Sequence, residues 1–196
     1  MAVVLVSSML SYVLPFAFAS GINLYATVAV IGLCARYRLF ALPSQFAGFD
    51  SWWVIGVALA LYAVEFVADK VPWVDTLWDT VHTAIRPVGG AVVAMAAVSG
   101  ASPEVHAVAA LLGGTVAMTT HLTKAGTRAV VNASPEPFTN WTLSLVEDLF
   151  VIGLTWVAVA HPVVATVVCL ILLVCIVAVA STLVKAVKRR LARRAS

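Results

Sequence analysis

The segment 51-SWWVIGVALALYAVEFVADK-70 decides the fold class, because it is apolar over about the length of a lipid bilayer and still carries two acidic residues, Glu65 and Asp69. A charged carboxylate at the centre of a membrane helix costs roughly 2.5–3.5 kcal/mol on insertion scales, so such residues are rare without a compensating role. A second apolar segment, 141-WTLSLVEDLFVIGLTWVAVAH-161, carries an adjacent acidic pair in the same way. The two segments predict a membrane protein with a polar interior.

The composition argues against a soluble fold. Of the 196 residues, 62% are hydrophobic and 11% are charged, and the mean hydropathy is +1.03, whereas soluble domains carry about 25% charged residues. A helix needs about 20 residues to cross the hydrocarbon core. We therefore expect an all-α, polytopic helical bundle that forms one transmembrane domain over residues 1–184. The long apolar windows lie near residues 3–35, 51–69, 87–101, 105–120, 141–160 and 162–184.

Residues 185–196 form a basic tail. The positive-inside rule places such a tail in the cytoplasm, which predicts a multi-pass protein of the inner (cytoplasmic) membrane. We expect the tail to contact anionic lipid rather than nucleic acid. Its basic residues are Lys185, Lys188, Arg189, Arg190, Arg193 and Arg194.

A weak internal duplication relates the two halves of the chain. Three matches occur in the same order in both halves, which predicts pseudo-repeats over about 5–101 and 105–184. Each repeat would contain an interrupted segment, an acidic helix and a helix that opens with proline near its first turn. The matches pair 20-SGINLYATVAV-30 with 120-THLTKAGTRAV-130, Glu65 with Glu147, and 86-RPVGGAVV-93 with 161-HPVVATVV-168.

The first segment of each repeat is predicted to be a broken or re-entrant helix. About 33 residues over 3–35 would reach roughly 50 Å as one helix, against a hydrocarbon core of about 30 Å. We expect the breaks at Ser20–Asn23 and at Thr119–His121, the latter preceded by Gly113 and Gly114. At membrane depth, the free N–H and C=O groups of non-helical backbone need hydrogen bonds from protein or from water in a cavity. The breaks therefore predict a cavity. If each interrupted segment crosses the membrane once, the two repeats have inverted topologies. If each segment is re-entrant, the two repeats have the same, parallel topology.

The segment 72-PWVDTLWDTVHTAIR-86 has helical amphipathicity. Trp73, Leu77 and Val81 share one face, and polar residues occupy the rest of the turn. This pattern predicts an amphipathic helix that lies at the membrane interface with Trp at the level of the headgroups.

The candidate site residues fall into two groups. Intramembrane carboxylates are candidates for proton or cation coupling, because a buried acid can change its charge between access states. Polar residues at the two predicted breaks are candidates for a solute path. The coupling group is Glu65, Asp69, Glu147 and Asp148, and the solute-path group is Ser20, Gly21, Asn23, Tyr25, Thr119, Thr120, His121, Lys124 and Arg128.

Each group also has a structural interpretation. Asp69 and Lys70 would then mark a helix end at the interface. Hydroxyls and amides in membrane helices often only hydrogen-bond a neighbouring helix. Glu147 and Asp148 would form ion pairs with Lys124 or Arg128, which would weaken the interpretation as a cation site.

Enzyme signatures are absent from the sequence. It has no GxSxG, HExxH, P-loop or dinucleotide-binding fingerprint, and its cysteines show no CxxC spacing. Its four histidines are widely separated. We therefore expect a protein that is not an enzyme, with no catalytic residue, no cofactor and no bound metal.

The chain resembles an uncharacterised family of bacterial membrane proteins catalogued as domain of unknown function 4126, over roughly residues 10–165. The resemblance implies a small polytopic inner-membrane protein and brings no activity with it. The motifs that carry it are 20-SGINLYATV-28, 65-EFVADKVPWVDTLWDTVHTA-84, 86-RPVGGA-91 and 120-THLTKAGTRAVVNASPEPFTNW-141.

These observations lead to two main hypotheses. The first is a transporter or channel-like protein for a small polar solute or ion, embedded in the lipid bilayer as a homo-oligomer. The second is a non-transporting accessory, scaffold or lipid-binding subunit of a larger membrane complex. A third, an integral-membrane enzyme that acts on lipid, would need His121 beside Glu147 or Asp148 in an open lateral groove.

Overall fold

Seven α-helices and a short 3₁₀ helix make up the regular structure of the described residues, with no strand among them. The computed structural model describes residues 2–40, 42, 44–133 and 137–195, and it describes no side chain at 2–10, 45, 137, 187 or 192–195. The elements are α1 (Ala2–Ile22), α2 (Leu24–Arg36), the 3₁₀ helix (Ser44–Phe49), α3 (Trp52–Ala68), α4 (Pro72–Ala97), α5 (Pro103–Asn132), α6 (Pro137–Ala160) and α7 (Pro162–Ala195).

Three helices in the described part of the chain are long and apolar enough to cross a membrane. They are Pro103–Asn132, Phe138–Ala160 and Pro162–Leu191. The most apolar stretch of the last helix has a mean hydropathy of 3.3, and only 11% of that stretch is buried within the protein. An apolar helix with so little burial suits lipid on most of its sides. The membrane class predicted from the sequence is supported by these lengths and compositions.

Helices α1, α4 and α5 form the centre of the bundle through small residues. A Cβ on Gly113 of α5 would lie 2.4 Å from the Cβ of Ala94 and 2.7 Å from the carbonyl oxygen of Gly90, both on α4. A Cβ on Gly21 of α1 would lie 1.8 Å from Thr120 Oγ1. Small residues allow this close approach of backbones, which is the usual way that membrane helices associate.

The first predicted interruption is found at Asn23. Helix α1 ends at Ile22, and Asn23 has extended backbone angles of φ −148° and ψ 99°. Its side-chain oxygen accepts a hydrogen bond from the amide of Ala26 at 2.9 Å and so caps the start of α2. Pro15 lies inside α1 without ending it.

The second predicted interruption, at Thr119–His121, was wrong, because α5 is continuous through these residues. Thr119 Oγ1 donates to the carbonyl of Thr115 at 2.8 Å, and Thr123 Oγ1 donates to the carbonyl of Thr119 at 2.8 Å. Threonine hydroxyls are thus satisfied one turn back, without any break in the helix. Gly113 serves helix packing instead of a break. The duplication and its repeat boundaries stay a prediction.

The predicted amphipathic helix is present, but its polar face is buried instead of facing water. Residues 72–86 are the first half of α4, which continues through Pro87 to Ala97. Trp73 and Leu77 are 72% and 59% exposed, whereas the opposite, polar face is buried. In a bilayer the apolar face of an amphipathic helix turns to lipid, so the polar face turns to the protein interior. Proline opens α7 at Pro162 as predicted, but it does not open a helix at Pro87.

The basic tail continues α7 to Ala195. The described side chains of Lys185, Lys188, Arg189 and Arg190 are exposed. The side chains of Arg193 and Arg194 lie outside the described residues.

Candidate functional site

A cluster of buried ionic side chains lies where α3, α4, α5 and α6 meet near the break at Asn23. Three of its members are basic and fully or almost fully buried. Five carboxylates are buried with them, and a sixth, Glu147, has a side chain that is 14% exposed. We call this set the charge cluster. It comprises Arg86, Lys124, Arg128, Glu65, Asp69, Asp75, Asp79, Glu147 and Asp148.

Arg86 of α4 lies at the centre of the charge cluster and is 0% exposed. Its Nη2 lies 2.7 Å from Glu65 Oε1, and its Nη1 lies 3.3 Å from Asp79 Oδ1. Nη1 also donates to His121 Nδ1 at 2.7 Å. Because a guanidinium can only donate, we assign the ring proton of His121 to Nε2, which lies 3.1 Å from the carbonyl oxygen of Asp79.

Lys124 of α5 joins the acids of α3 to the acid of α6. Its Nζ lies 3.0 Å from Asp69 Oδ2, 3.4 Å from Glu65 Oε1 and 3.8 Å from Glu147 Oε2. The predicted pairing of Lys124 with Glu147 is therefore present only as a long contact, and Asp69 is the nearest partner. Asp69 is buried and paired with an ammonium group inside the protein, so it does more than mark a helix end at the interface.

Arg128 has a structural role in the charge cluster. Its Nε donates to Asp75 Oδ2 at 3.0 Å, and its Nη1 donates to the carbonyl of Asn140 at 3.0 Å. Its Nη2 donates to the carbonyl of Asp69. These three bonds join α5 to α4, to the start of α6 and to the residue that ends α3.

The break at Asn23 is bonded directly to the charge cluster. The carbonyl oxygens of Gly21 and Ile22 accept hydrogen bonds from Arg86 Nη1 and Lys124 Nζ, each at 3.3 Å. Asn23 Nδ2 donates to Asp148 Oδ1 at 3.1 Å. Backbone groups at the helix break are thus satisfied by the ionic side chains, as buried irregular backbone requires.

The charge cluster contains more acid than base. Among the described side chains, six carboxylates meet three basic groups, which leaves three negative charges in excess when all are ionised. Lys70 lies half-buried at the edge and donates to Ser144 Oγ and to the carbonyl of Phe66 rather than to a carboxylate. Within the described residues, these acid oxygens have no hydrogen-bond partner: Glu65 Oε2, Asp69 Oδ1, Asp75 Oδ1, Asp79 Oδ1 and Oδ2, Glu147 Oε2 and Asp148 Oδ2.

A pocket of about 320 Å³, the lateral pocket, reaches the charge cluster from the side of the bundle. It lies between α1, α5, α6 and α7, and its walls are mainly apolar. Lys124 and Glu147 contribute the ionic part of its lining, and Thr120 and Thr123 add hydroxyls. The lateral pocket therefore connects the apolar surroundings to the one partly exposed acid of the cluster.

Most of the predicted site residues meet at the charge cluster. Gly21 and Thr120, on the two predicted breaks, approach each other closely as expected. Ser20 is buried without a described hydrogen-bond partner for Oγ, and Tyr25 binds His82 Nε2 at 2.9 Å. Thr119 lies apart from the cluster, in a groove between α5 and α7.

Four residues of α4 were missed by the sequence analysis. Asp75, Asp79, His82 and Arg86 recur at helical spacing and form the buried face of the helix. Their spacing is visible in the sequence. The interpretation of the segment as an interfacial helix, however, places this polar face towards water instead of the protein interior.

Within the described residues, no three His, Cys, Asp or Glu side chains are arranged to hold a metal ion.

The chain belongs to the family described as a domain of unknown function (DUF4126), whose family model matches residues 10–182. The match confirms the resemblance seen in the sequence motifs. No curated protein and no solved structure matches the chain.

Proposed function

We propose that this protein is a small membrane transporter or channel-like protein for a small polar solute or ion, coupled to protons or cations through the charge cluster. The observation that carries the proposal is the excess of buried carboxylates over basic groups. An unpaired buried charge costs several kcal/mol, so the excess acids need positive charge from outside the protein. Protons or small cations supply it, and their arrival and departure are the basis of coupling.

Glu147 is the acid that takes up and releases a proton or cation through the lateral pocket. It lines that pocket, it is the most exposed carboxylate of the cluster, and its Oε2 has no described hydrogen-bond partner. When Glu147 takes up a proton, its attraction for Lys124 falls. Lys124 is then held by Asp69 and Glu65 alone, at 3.0 and 3.4 Å.

The break at Asn23 converts this change of charge into movement. Lys124 Nζ bonds the carbonyl oxygen of Ile22 as well as the acids, so a shift of the ammonium group alters the end of α1. Asn23 links the same break to Asp148 on α6. Broken helices form the substrate and ion sites of many transporters, and helix bundles move around these sites.

The test is a measurement of charge movement in proteoliposomes adsorbed on a solid-supported membrane. A jump in proton concentration should produce a transient current with the wild-type protein, because binding of ions displaces charge even without a transported solute. Glu147→Gln should reduce this current at least about tenfold. Glu104→Gln is the matched control, since Glu104 is an exposed acid outside the cluster, and it should give the wild-type current.

A wild-type current equal to that of protein-free liposomes would overturn the proposal. An unchanged current in Glu147→Gln would remove Glu147 from the mechanism.

A second candidate function, an accessory or lipid-binding subunit, is favoured by the groove between α5 and α7. This groove measures about 890 Å³ and is lined by apolar side chains that include Leu172, Ile176 and Val179. It suits a membrane helix, either of a second copy, as in the expected homo-oligomer, or of another protein. Native mass spectrometry of the purified protein discriminates: a stoichiometric foreign partner together with no charge movement supports the accessory role.

The proposed setting is the inner (cytoplasmic) membrane, with the basic tail in the cytoplasm. The exposed Lys185, Lys188, Arg189 and Arg190 at the end of α7 support this orientation.

A further inference from the structure

A second pocket lies between α4 and α5, against a different face of α5 from the lateral pocket. It measures about 210 Å³, and we call it the α4–α5 pocket. Its polar lining consists of Thr76, Asp79, Thr80, Thr83, Arg128 and Asn132. Nothing in the proposed mechanism of Glu147 uses this pocket.

The α4 wall of the pocket offers hydrogen-bond acceptors only. The hydroxyl of Thr76 donates to the carbonyl of Pro72 at 2.9 Å, and that of Thr80 donates to the carbonyl of Thr76 at 2.7 Å. The hydroxyl of Thr83 donates to the carbonyl of Asp79 at 2.9 Å. A hydroxyl has one proton, so these three oxygens can present only lone pairs to the pocket. One lone pair of Thr83 already faces the Nε2–H of His121 at 3.0 Å, which leaves it one for a ligand.

Most hydrogen-bond donors of the α5 wall are already bound to the protein. Asn132 Nδ2 donates to Asp75 Oδ2 and to Thr76 Oγ1, and its Oδ1 has no described partner. The guanidinium of Arg128 directs its three nitrogens to Asp75, to the carbonyl of Asn140 and to that of Asp69. These three bonds use three of the five N–H groups of Arg128, so the α5 wall presents the free acceptor Asn132 Oδ1 beside a guanidinium that is paired with Asp75.

Asp79 supplies the charge of the α4–α5 pocket. It is 4% exposed, and neither carboxylate oxygen has a described hydrogen-bond partner. Its nearest basic group is Arg86 Nη1 at 3.3 Å, which is hydrogen-bonded to His121 at 2.7 Å, while Nη2 is paired with Glu65 at 2.7 Å. Arg128, the other basic group of the pocket, is paired with Asp75. Asp79 therefore shares its ion-pair partner Arg86 with Glu65, and neither of its oxygens accepts a hydrogen bond within the described residues.

We propose that the α4–α5 pocket binds one small monovalent metal cation, of the kind of Na⁺, through Asp79 and the surrounding acceptor oxygens. Oxygen dipoles replace the hydration shell of such ions in membrane proteins. Because Asp79 shares Arg86 with Glu65, its carboxylate can also bind one positive charge from outside, and neutral hydroxyl and amide oxygens complete the set of ligands. The oxygens are those of Asp79, Thr76, Thr80, Thr83 and Asn132.

A chain of ionic contacts connects the cation site to the lateral pocket. It runs from Asp79 to Arg86 at 3.3 Å, on to Glu65 at 2.7 Å, to Lys124 at 3.4 Å and to Glu147 at 3.8 Å. A cation at Asp79 repels Arg86 and weakens the hold of Asp79 on it. Cation binding at Asp79 and protonation of Glu147 thus affect each other through these ionic contacts, and the coupling must be reciprocal. The role of this cation as the coupling ion of a transporter rests on the proposed function, whereas its binding to the pocket does not.

The test is equilibrium binding of ²²Na⁺ to the full-length protein in detergent, measured by scintillation proximity at constant ionic strength with choline chloride. We expect saturable binding of about one ion per chain. Asp79→Asn should raise the Kd at least about tenfold, and Thr80→Val should raise it several-fold, because each removes ligand charge or a ligand oxygen. Thr182→Val is the matched control, since its exposed hydroxyl also donates one turn back, to Ala178, at 2.9 Å.

The outcomes separate this inference from the proposed function. Absence of saturable Na⁺ binding, or wild-type affinity in both Asp79→Asn and Thr80→Val, overturns the cation site even if the proton-driven current persists. Competition by unlabelled K⁺ or Li⁺ but not by choline supports the site. Na⁺ binding that depends on Asp79 supports the site even if the wild-type protein gives no current, in which case the proposed function fails alone.

Discussion

Arg86→Met removes the basic group on which the buried acids depend most. Arg86 Nη2 lies 2.7 Å from Glu65 Oε1, and two unit charges at that distance attract by roughly 6 kcal/mol at an effective dielectric constant of about 20. Desolvation offsets part of this attraction, and removal of one partner from a buried pair typically costs about 3–5 kcal/mol. We expect the free energy of unfolding to fall by that amount, measured by SDS titration in mixed micelles with tryptophan fluorescence as the probe.

Two further variants make this prediction specific. Arg189→Met is the matched control, because Arg189 is exposed on the tail helix, and its effect should stay within about 0.5 kcal/mol. The double variant Arg86→Met/Glu65→Gln should recover part of the loss, because the partner no longer carries an unpaired charge. If Arg86→Met is as stable as Arg189→Met, the buried charges are not interdependent and the reasoning fails.

Two other predictions test helix packing and orientation. Gly21→Ala should cost about 1–3 kcal/mol of unfolding free energy in the same titration, since the new Cβ would lie 2.3 Å from the carbonyl oxygen of Ala117; Gly126→Ala, with nothing within 4 Å, is the control and should not destabilise. A C-terminal green fluorescent protein fusion should fluoresce and an alkaline phosphatase fusion should be inactive, because the basic tail is expected in the cytoplasm; an active phosphatase would reverse the orientation.

Local signals in the sequence were sufficient for the helix break at Asn23. The excess length of residues 3–35 required an interruption, and the expected stretch Ser20–Asn23 contains it. Helix α1 nevertheless continues through Ser20 and Gly21, and the break lies at Asn23, whose side chain caps α2. The same reasoning failed at Thr119–His121, because a threonine hydroxyl can bind a carbonyl one turn back and leave the helix intact. Polar residues in a membrane segment therefore did not distinguish a helix break from a continuous helix whose hydroxyl groups are hydrogen-bonded to its own backbone.

The charge cluster was predicted only in part, because lipid and water favour opposite orientations of an amphipathic helix. Periodicity places Asp75, Asp79 and Arg86 on one face of α4 and Leu77 on another, but it does not say which face turns inwards. In water the polar face would be exposed, whereas in lipid it is buried. The acids Glu65 and Glu147 were recognised because they interrupt apolar runs. Lys124 was expected as a partner of Glu147, but the pairing of Glu65 with Arg86 depends on long-range packing of α3 against α4, which sequence spacing does not contain.

The central claim is that the excess buried acids take up positive charge from outside the protein. It is tested most directly by the current that a combined Na⁺ and proton concentration jump produces on a solid-supported membrane, compared between the wild-type protein and Asp79→Asn/Glu147→Gln. The account predicts a transient current for the wild-type protein and a much smaller one for the double variant, which neutralises both ends of the ionic chain and leaves only one acid in excess of the basic groups. A wild-type protein without current, or a double variant with the wild-type current, would contradict it.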